Sequence, residues 1–200
     1  MPRVVRLFGQ ARSPEARPER IVQEVRHDIA TLPGYRVFDY ITYKVDGSKV
    51  ILFGSVTRPL VKSEAAKAVK RIEGVTNVDN EIELLPRSAL DDQIRIAVYS
   101  AIYSKAPLQK YQFGAEPPIH IIVQNSNVTL EGTVNSDGDK DLAGVTAKEA
   151  AGVLKVTNNL SSLPDHSGIV ADSGGIVSFG EGARDRVPKT FRPGKFLQIS

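Results

Sequence analysis

The sequence predicts an α+β fold made of two tandem α-β-β-α-β modules, each a three-stranded mixed sheet with two helices on one face. The first observation is that residues 50–82 and 128–160 align without a gap at an offset of 78, with eleven of thirty-three positions identical. Such a match indicates an internal duplication. The second is that each copy passes from alternating, β-branched stretches to a helical period and back, which favours helices packed on a sheet.

The first helix is predicted over residues 19–31, because Ile21, Val25 and Ile29 recur every four residues. Pro33 and Gly34 should end it. Two strands follow at residues 40–45 and 49–57, joined by an Asp46-Gly47 turn, since both turn residues tolerate positive φ.

The second helix of the first copy is expected to begin at Thr57 as its N-cap and to end at Gly74 as the residue after its C-cap. Its apolar face consists of Val61, Ala65, Ala68 and Ile72. The last strand covers residues 77–85. Because a helix connects two strands of one sheet, this strand should pair in parallel.

The second copy repeats the pattern after the short linker 86–88. Ser88, with Asp91 three residues later, predicts a helix start, and the helix should run to Ser104. A loop five residues longer than its counterpart leads to a hairpin around Asn125-Ser126, then a helix of small residues and a strand over 154–160. Four glycines recur as matched pairs in the duplication and are predicted to be structural: Gly54, Gly74, Gly132 and Gly152.

Two surfaces are candidates for binding a lipid or a partner. The second helix of the first copy carries a basic face opposite its apolar stripe: Lys62, Lys67, Lys70 and Arg71. A plain solvated helix is the alternative. The first helix of the second copy has a second apolar stripe made of Ile96, Tyr99 and Tyr103, which must be covered by the first copy, covered by a partner or left exposed.

Positive charge is concentrated at the two ends of the chain. Residues 1–18 are predicted to be a flexible basic arm and residues 164–200 a Gly/Pro-rich basic tail, mostly disordered. Basic tails on a near-neutral body favour an anionic surface, although solubilising sequence explains them equally. The two globular domains are then residues 19–86 and 87–163.

The sequence carries no recognisable catalytic or cofactor signature. It contains no cysteine, no apolar run of about 20 residues that would span a bilayer, no phosphate-binding glycine loop and no nucleophile elbow. Asp137, Asp139 and Asp141 alternate, but an EF-hand read from Asp137 lacks its required Gly and Glu. We expect no metal, no cofactor and no enzyme, and the lack of G-x-x-G and of an RNP1 pattern argues against nucleic acid.

The run V-x-L-x-G-x-V, followed by a helix, G-V-x-x-V and N-x-(I/L), resembles the BON domain of bacterial osmotically induced envelope proteins, here in tandem over about residues 19–163. The resemblance implies a phospholipid surface as partner, in envelope maintenance or osmotic stress. A protein–protein adaptor in an envelope or stress assembly is the alternative, and a homo-oligomer is left open. The first residues lack a secretory signal, so we expect a periplasmic protein whose export signal is missing from this sequence, or a cytoplasmic one.

Overall fold

Both copies form α-β-β-α-β units in the computed structural model, which describes residues 18–113 and 117–163. We call residues 19–86 the first repeat and residues 87–163 the second repeat. The elements of the first repeat are α1 (Pro18–Ala30), β1 (Tyr40–Asp46), β2 (Lys49–Val56), α2 (Pro59–Lys70), β3 (Asn77–Asn80) and β4 (Glu83–Leu84). Those of the second are α3 (Ala89–Ser104), a 3₁₀ helix (Ala106–Tyr111), β5 (Ile119–Gln124), β6 (Asn127–Val134), α4 (Asp137–Glu149), β7 (Lys155–Asn158) and β8 (Ser161–Ser162).

The two sheets share one topology and one register. In the first repeat β2 pairs antiparallel with β1 and parallel with β3 and β4, and in the second β6 does the same with β5, β7 and β8. Gly54 lies opposite Ile41 in the first sheet, and Gly132 lies opposite Ile119 in the second. Both residues of the second pair lie 78 positions after their counterparts in the first. The predicted superposition of the two modules is confirmed at the level of single strand positions.

The third strand of each sheet is interrupted. The sequence predicts one continuous strand over 77–85 in the first repeat and a strand over 154–160 in the second, where β8 follows beyond the predicted end. Asn80 and Asn158 cause the break in the same way. The Nδ2 group of each donates to a helix carbonyl, Lys62 O at 2.9 Å and Lys140 O at 2.8 Å, while each Oδ1 accepts from the backbone N–H two residues later. Each asparagine side chain thus binds a backbone N–H, of Ile82 or of Leu160, that a continuous strand would use for pairing. Pairing with the central strand resumes only after these two residues.

Turn and cap positions differ in detail from the sequence predictions. The first hairpin turns at Gly47-Ser48, one residue later than expected, because Asp46 pairs with Lys49. The second turns at Asn125-Ser126 as predicted, with φ of 52° and 60°. Ser88 caps α3 as predicted, accepting from Asp91 N.

The prediction that Thr57 caps α2 is wrong. Arg58 occupies the N-cap position without a side-chain hydrogen bond, and the Thr57 hydroxyl donates instead to Asp39. The prediction that Gly74 follows the C-cap is also wrong, because α2 ends at Lys70 with Arg71 as its cap, and tight i to i+3 bonds follow.

Each repeat buries its own apolar core between two helices and one sheet face. In the first repeat Ile21, Val25 and Ile29 of α1 are buried as predicted. The core of the second repeat is centred on Ile94, Val98 and Ile102 of α3. The unpredicted 3₁₀ helix adds Leu108 and Tyr111 to that core. The predicted basic arm and tail lie outside the described residues.

Candidate functional site

The basic face of α2 is a solvent-facing surface whose opposite side is already used. Val61, Ala65 and Val69 of this helix are buried, and Ile72, just after its end, is buried too. Lys67, Lys70 and Arg71 are exposed, and Lys62 is half-buried. Leu60 in the first turn of α2 stays 60% exposed, but a single side chain does not make an apolar stripe that could insert into a membrane. A contact that this helix makes with a surface is therefore mainly polar.

Acidic side chains limit the basic face on two sides. The Nζ of Lys67 lies 2.9 Å from Oε1 of Glu64, one turn earlier in α2. Arg71 lines two open grooves between α1 and α2, of about 450 and 250 Å³, which also contain Glu24, Asp28 and Glu73. Lys70 is therefore the exposed cation of this face that lies away from these acidic groups, and Lys67 is exposed but shares its charge with Glu64.

The second apolar stripe on α3 does not behave as one surface. Tyr103 is buried, with 6% of its surface exposed, and burial raises its pKa to about 12. Tyr99 is half-buried, with its ring centroid 4.7 Å from that of Tyr103 and 6.2 Å from that of Phe38 in the first repeat. Ile96 stays 62% exposed, so of the three alternatives predicted for this stripe, cover by the first copy is wrong for this residue.

The two repeats meet where the loop before β1 reaches the outer edge of β5, and we call this contact, residues 36–40 against residues 119–122, the seam. The N–H of Ile121 donates to the carbonyl of Val37 at 2.7 Å. Val37 and Phe38 pack against the core of the second repeat. Because β5 is an edge strand, this loop satisfies a backbone donor that would otherwise face water.

A buried carboxylate fixes the shape of this loop. Asp39 is fully buried, and its Oδ1 accepts from the backbone N–H of Thr57 at 2.7 Å and from the Thr57 hydroxyl at 2.8 Å. Its Oδ2 accepts from Arg36 N at 3.2 Å, and Arg58 lies 3.9 Å away. These bonds hold residues 36–39 as a tight turn that presents the Val37 carbonyl outward to β5.

Tyr111 performs the corresponding task in the second repeat. Its hydroxyl accepts from Asn135 N at 2.6 Å, the position equivalent to Thr57, and donates to the buried carboxylate of Asp139 at 2.7 Å. Lys110 pairs with Asp139 at 2.8 Å. Desolvation opposes the charge on Asp139, but these hydrogen bonds outweigh it and hold the pKa of the carboxyl below its usual range. This arrangement is structural.

His120 lies at the centre of the seam, and sequence reasoning left it without a role. Only 3% of its surface is exposed, and its ring is 5.4 Å from the centroids of both Tyr35 and Tyr40. The sequence of β5, Ile-His-Ile-Ile-Val, could have indicated that His120 is buried, because it does not alternate between apolar and polar residues. Strands without this alternation are typically buried on both faces, and β5 is. The corresponding strand β1 alternates between buried or half-buried and exposed residues from Ile41 to Asp46.

Two further findings bear on the kind of protein. Within residues 18–113 and 117–163, no group of three metal-binding side chains is placed to hold an ion. The helices in this part of the chain also lack the length and apolar character needed to cross a bilayer.

The fold and its surfaces define a two-repeat α+β protein in which a loop of one repeat docks on the sheet edge of the next. The family model of the BON domain matches residues 19–86 and 91–164, and the chain belongs to this family. Osmotically-inducible protein Y of Escherichia coli (strain K12) is 31% identical over 125 residues, which are 61% of this chain and 61% of that protein. The chain thus spans about three fifths of the length of this relative.

Solved structures of lower similarity come from CdsD, a structural protein of the type III secretion system of Chlamydia trachomatis. One is 14% identical with a TM-score of 0.30, covering 74% of this chain and 94% of that one. Its C-terminal domain, also 14% identical, gives a TM-score of 0.29 and covers 72% of this chain and 98% of that one.

Proposed function

We propose that this tandem BON-domain chain is a non-enzymatic, envelope-associated protein that binds anionic phospholipid surfaces in envelope maintenance or osmotic stress. We place it in the periplasm, with the cytoplasm as the alternative. Membership in the family and the name of the osmotically inducible relative support the stress role.

The observation that carries the lipid proposal is the state of α2. Val61, Ala65 and Val69 are buried in the core, whereas Lys67 and Lys70 point away from that core and are exposed. A membrane contact through this helix is then adsorption of cations to headgroups, worth about 1 kcal/mol per Lys or Arg near an anionic surface. The arginine-rich ends of the sequence add cations of the same kind.

Vesicle flotation of the full chain tests the proposal. We expect binding to vesicles containing anionic lipid, no binding to neutral vesicles, and release at high salt because exposed charges are screened within about 10 Å at 0.1 M salt. The variant Lys67→Gln/Lys70→Gln should weaken binding several-fold. Its matched control is Lys148→Gln/Lys155→Gln, which removes two exposed cations from the second repeat.

An equal loss of vesicle binding in both double variants would mean that binding depends only on the net charge of the chain. The proposal that α2 contacts the membrane would then be wrong. Deletion of residues 1–17 and 184–200 measures the share of the basic ends, and unchanged binding after this deletion would exclude them. Binding to neutral and anionic vesicles alike would contradict the electrostatic mechanism as a whole.

A protein–protein adaptor is the second candidate, and exposed apolar side chains favour it. Leu90 and Ile96 of α3 are 55% and 62% exposed, and Phe113 is 78% exposed. Each of these side chains is an apolar surface that a partner would remove from water. Absence of vesicle binding, together with envelope partners that are captured by the wild type and lost with Ile96→Asp, would favour this function over lipid binding.

A further inference from the structure

His120 is held in the seam in a way that suits a neutral imidazole. It projects from the outward side of β5, while its neighbours Ile119 and Ile121 point into the core of the second repeat. The first repeat covers it with the rings of Tyr35 and Tyr40. Its Nδ1 is buried and has no hydrogen-bond partner among the described residues. A proton added there has no acceptor at hydrogen-bond distance, and the nearby carbonyls of Arg36 and Asp39 offset only part of the cost of burying the charge.

Several titratable and charged groups face His120 from the elements around it. The loop of the first repeat contributes Tyr35, Tyr40 and Asp39, and the backbone carbonyls of Arg36 and Asp39 interact with the ring. The carboxylate of Asp39 is already occupied by Thr57 and Arg36, with Arg58 nearby. From β6, Glu131 lies opposite His120 in the strand register.

We propose that the seam is an acid-sensitive joint, which is closed while His120 is neutral and opens when His120 is protonated, separating the two repeats without unfolding either. Opening would take Val37 and Phe38 off the second repeat and free the edge of β5. This inference does not depend on the proposed lipid function.

The environment of the His120 ring determines whether acid favours the closed or the open seam. Burial lowers the pKa of His120 from 6.5 to about 4, against weaker opposing effects of the carbonyls and of Asp39. Since the lowered value belongs to the closed seam, the closed state is fully favoured above pH 6.5 and loses that advantage as pH falls from 6.5 to about 4. If His120 has an ordinary imidazole pKa in the open form, acid raises the ratio of open to closed molecules above its value at neutral pH. The increase is roughly 30-fold at pH 5 and roughly 300-fold at full protonation.

Protonation of Glu131 has the opposite effect on stability to protonation of His120. Burial raises the pKa of its carboxyl, so acid stabilises its folded environment rather than opening it. Acid opening is therefore attributable to His120 and not to its cross-strand neighbour.

Distance measurements between spin labels test the joint. The chain contains no cysteine, so Ser63→Cys and Ser104→Cys, both exposed, report the separation of the repeats. Ser104→Cys with Ser161→Cys, inside the second repeat, reports unfolding. We expect the distance distribution between repeats to broaden from pH 7 to pH 4.5, with the distribution inside the second repeat unchanged.

His120→Gln, which keeps a neutral polar side chain, should retain the pH 7 distribution at pH 4.5. The control His27→Gln, at an exposed position of α1, should broaden as the wild type does. A wild-type distribution that does not change, or His120→Gln broadening like the wild type, would overturn the proposal. Imidazole NMR of the unmodified chain is a check without a variant at this site. A His120 midpoint below 5 supports the joint, and a midpoint near 6.5 in the closed protein refutes it.

Discussion

Replacing Gly54 with alanine should damage the first repeat far more than its size suggests. Gly54 lies in the middle of β2 with φ of +113°, and a Cβ built on it would lie 2.1 Å from the carbonyl oxygen of Tyr40. Gly132 repeats this geometry, with φ of +123° and a Cβ 2.2 Å from Pro118 O. Both clashes are with backbone, which cannot swing aside as a side chain would.

The magnitude has two parts. A non-glycine residue held in a sparsely populated backbone region costs about 1–3 kcal/mol. Relieving the clash requires β1 and β2 to separate locally by about 1 Å, which weakens at least one or two ladder hydrogen bonds at about 1 kcal/mol each. We expect Gly54→Ala to lower the free energy of unfolding by about 2–5 kcal/mol, a large part of the 5–15 kcal/mol typical of a domain.

Denaturant titration followed by circular dichroism measures this loss, and Gly47→Ala is the control. Gly47 also has positive φ, +59°, but its Cβ would meet nothing within 4 Å. The control should therefore lose only about 1 kcal/mol. A Gly54→Ala variant within 1 kcal/mol of the wild type, or a control that loses as much as Gly54→Ala, would refute the argument from backbone contact.

Two further changes test side chains in the second repeat. Asn158→Ala removes two hydrogen bonds that hold the broken third strand and should cost about 2 kcal/mol in thermal or chemical unfolding. A loss below 0.5 kcal/mol would mean that the break is held by the ladder alone. Tyr99→Ala loses ring contacts with Phe38 and Tyr103 and should cost about 2–3 kcal/mol, whereas Ile96→Ala should stay within about 0.5 kcal/mol. Equal losses for both variants would contradict the division of this stripe.

The sequence predicts best the features that occur at equivalent positions in both repeats. Gly54 and Gly132 face equivalent residues, and the strand registers agree at the same offset. Each of these features depends on contacts within one repeat, where local spacing determines geometry. An identical residue at an identical offset therefore carries real structural information.

The seam could not be predicted in the same way, because it joins residues about 80 positions apart that have no counterpart across the duplication. The docking of Val37 on Ile121 depends on the turn that Asp39 organises. The second repeat has Pro117 in place of that aspartate and uses Tyr111 for the same backbone position. Nothing in the spacing marks a tyrosine in an inserted 3₁₀ helix as the replacement for an aspartate before a strand.

The seam is a head-to-tail contact, since one repeat supplies the loop and the other the strand edge, and contacts of this kind generate open polymers unless something ends the series. The receiving strand differs between the repeats. Where β5 has the buried residues His120 and Ile122, β1 has the exposed residues Thr42 and Lys44. A lysine on an edge strand discourages further pairing. The edge of the first repeat thus differs from that of β5 at the two positions that the seam covers in the second repeat, and it is less suited to receive such a loop.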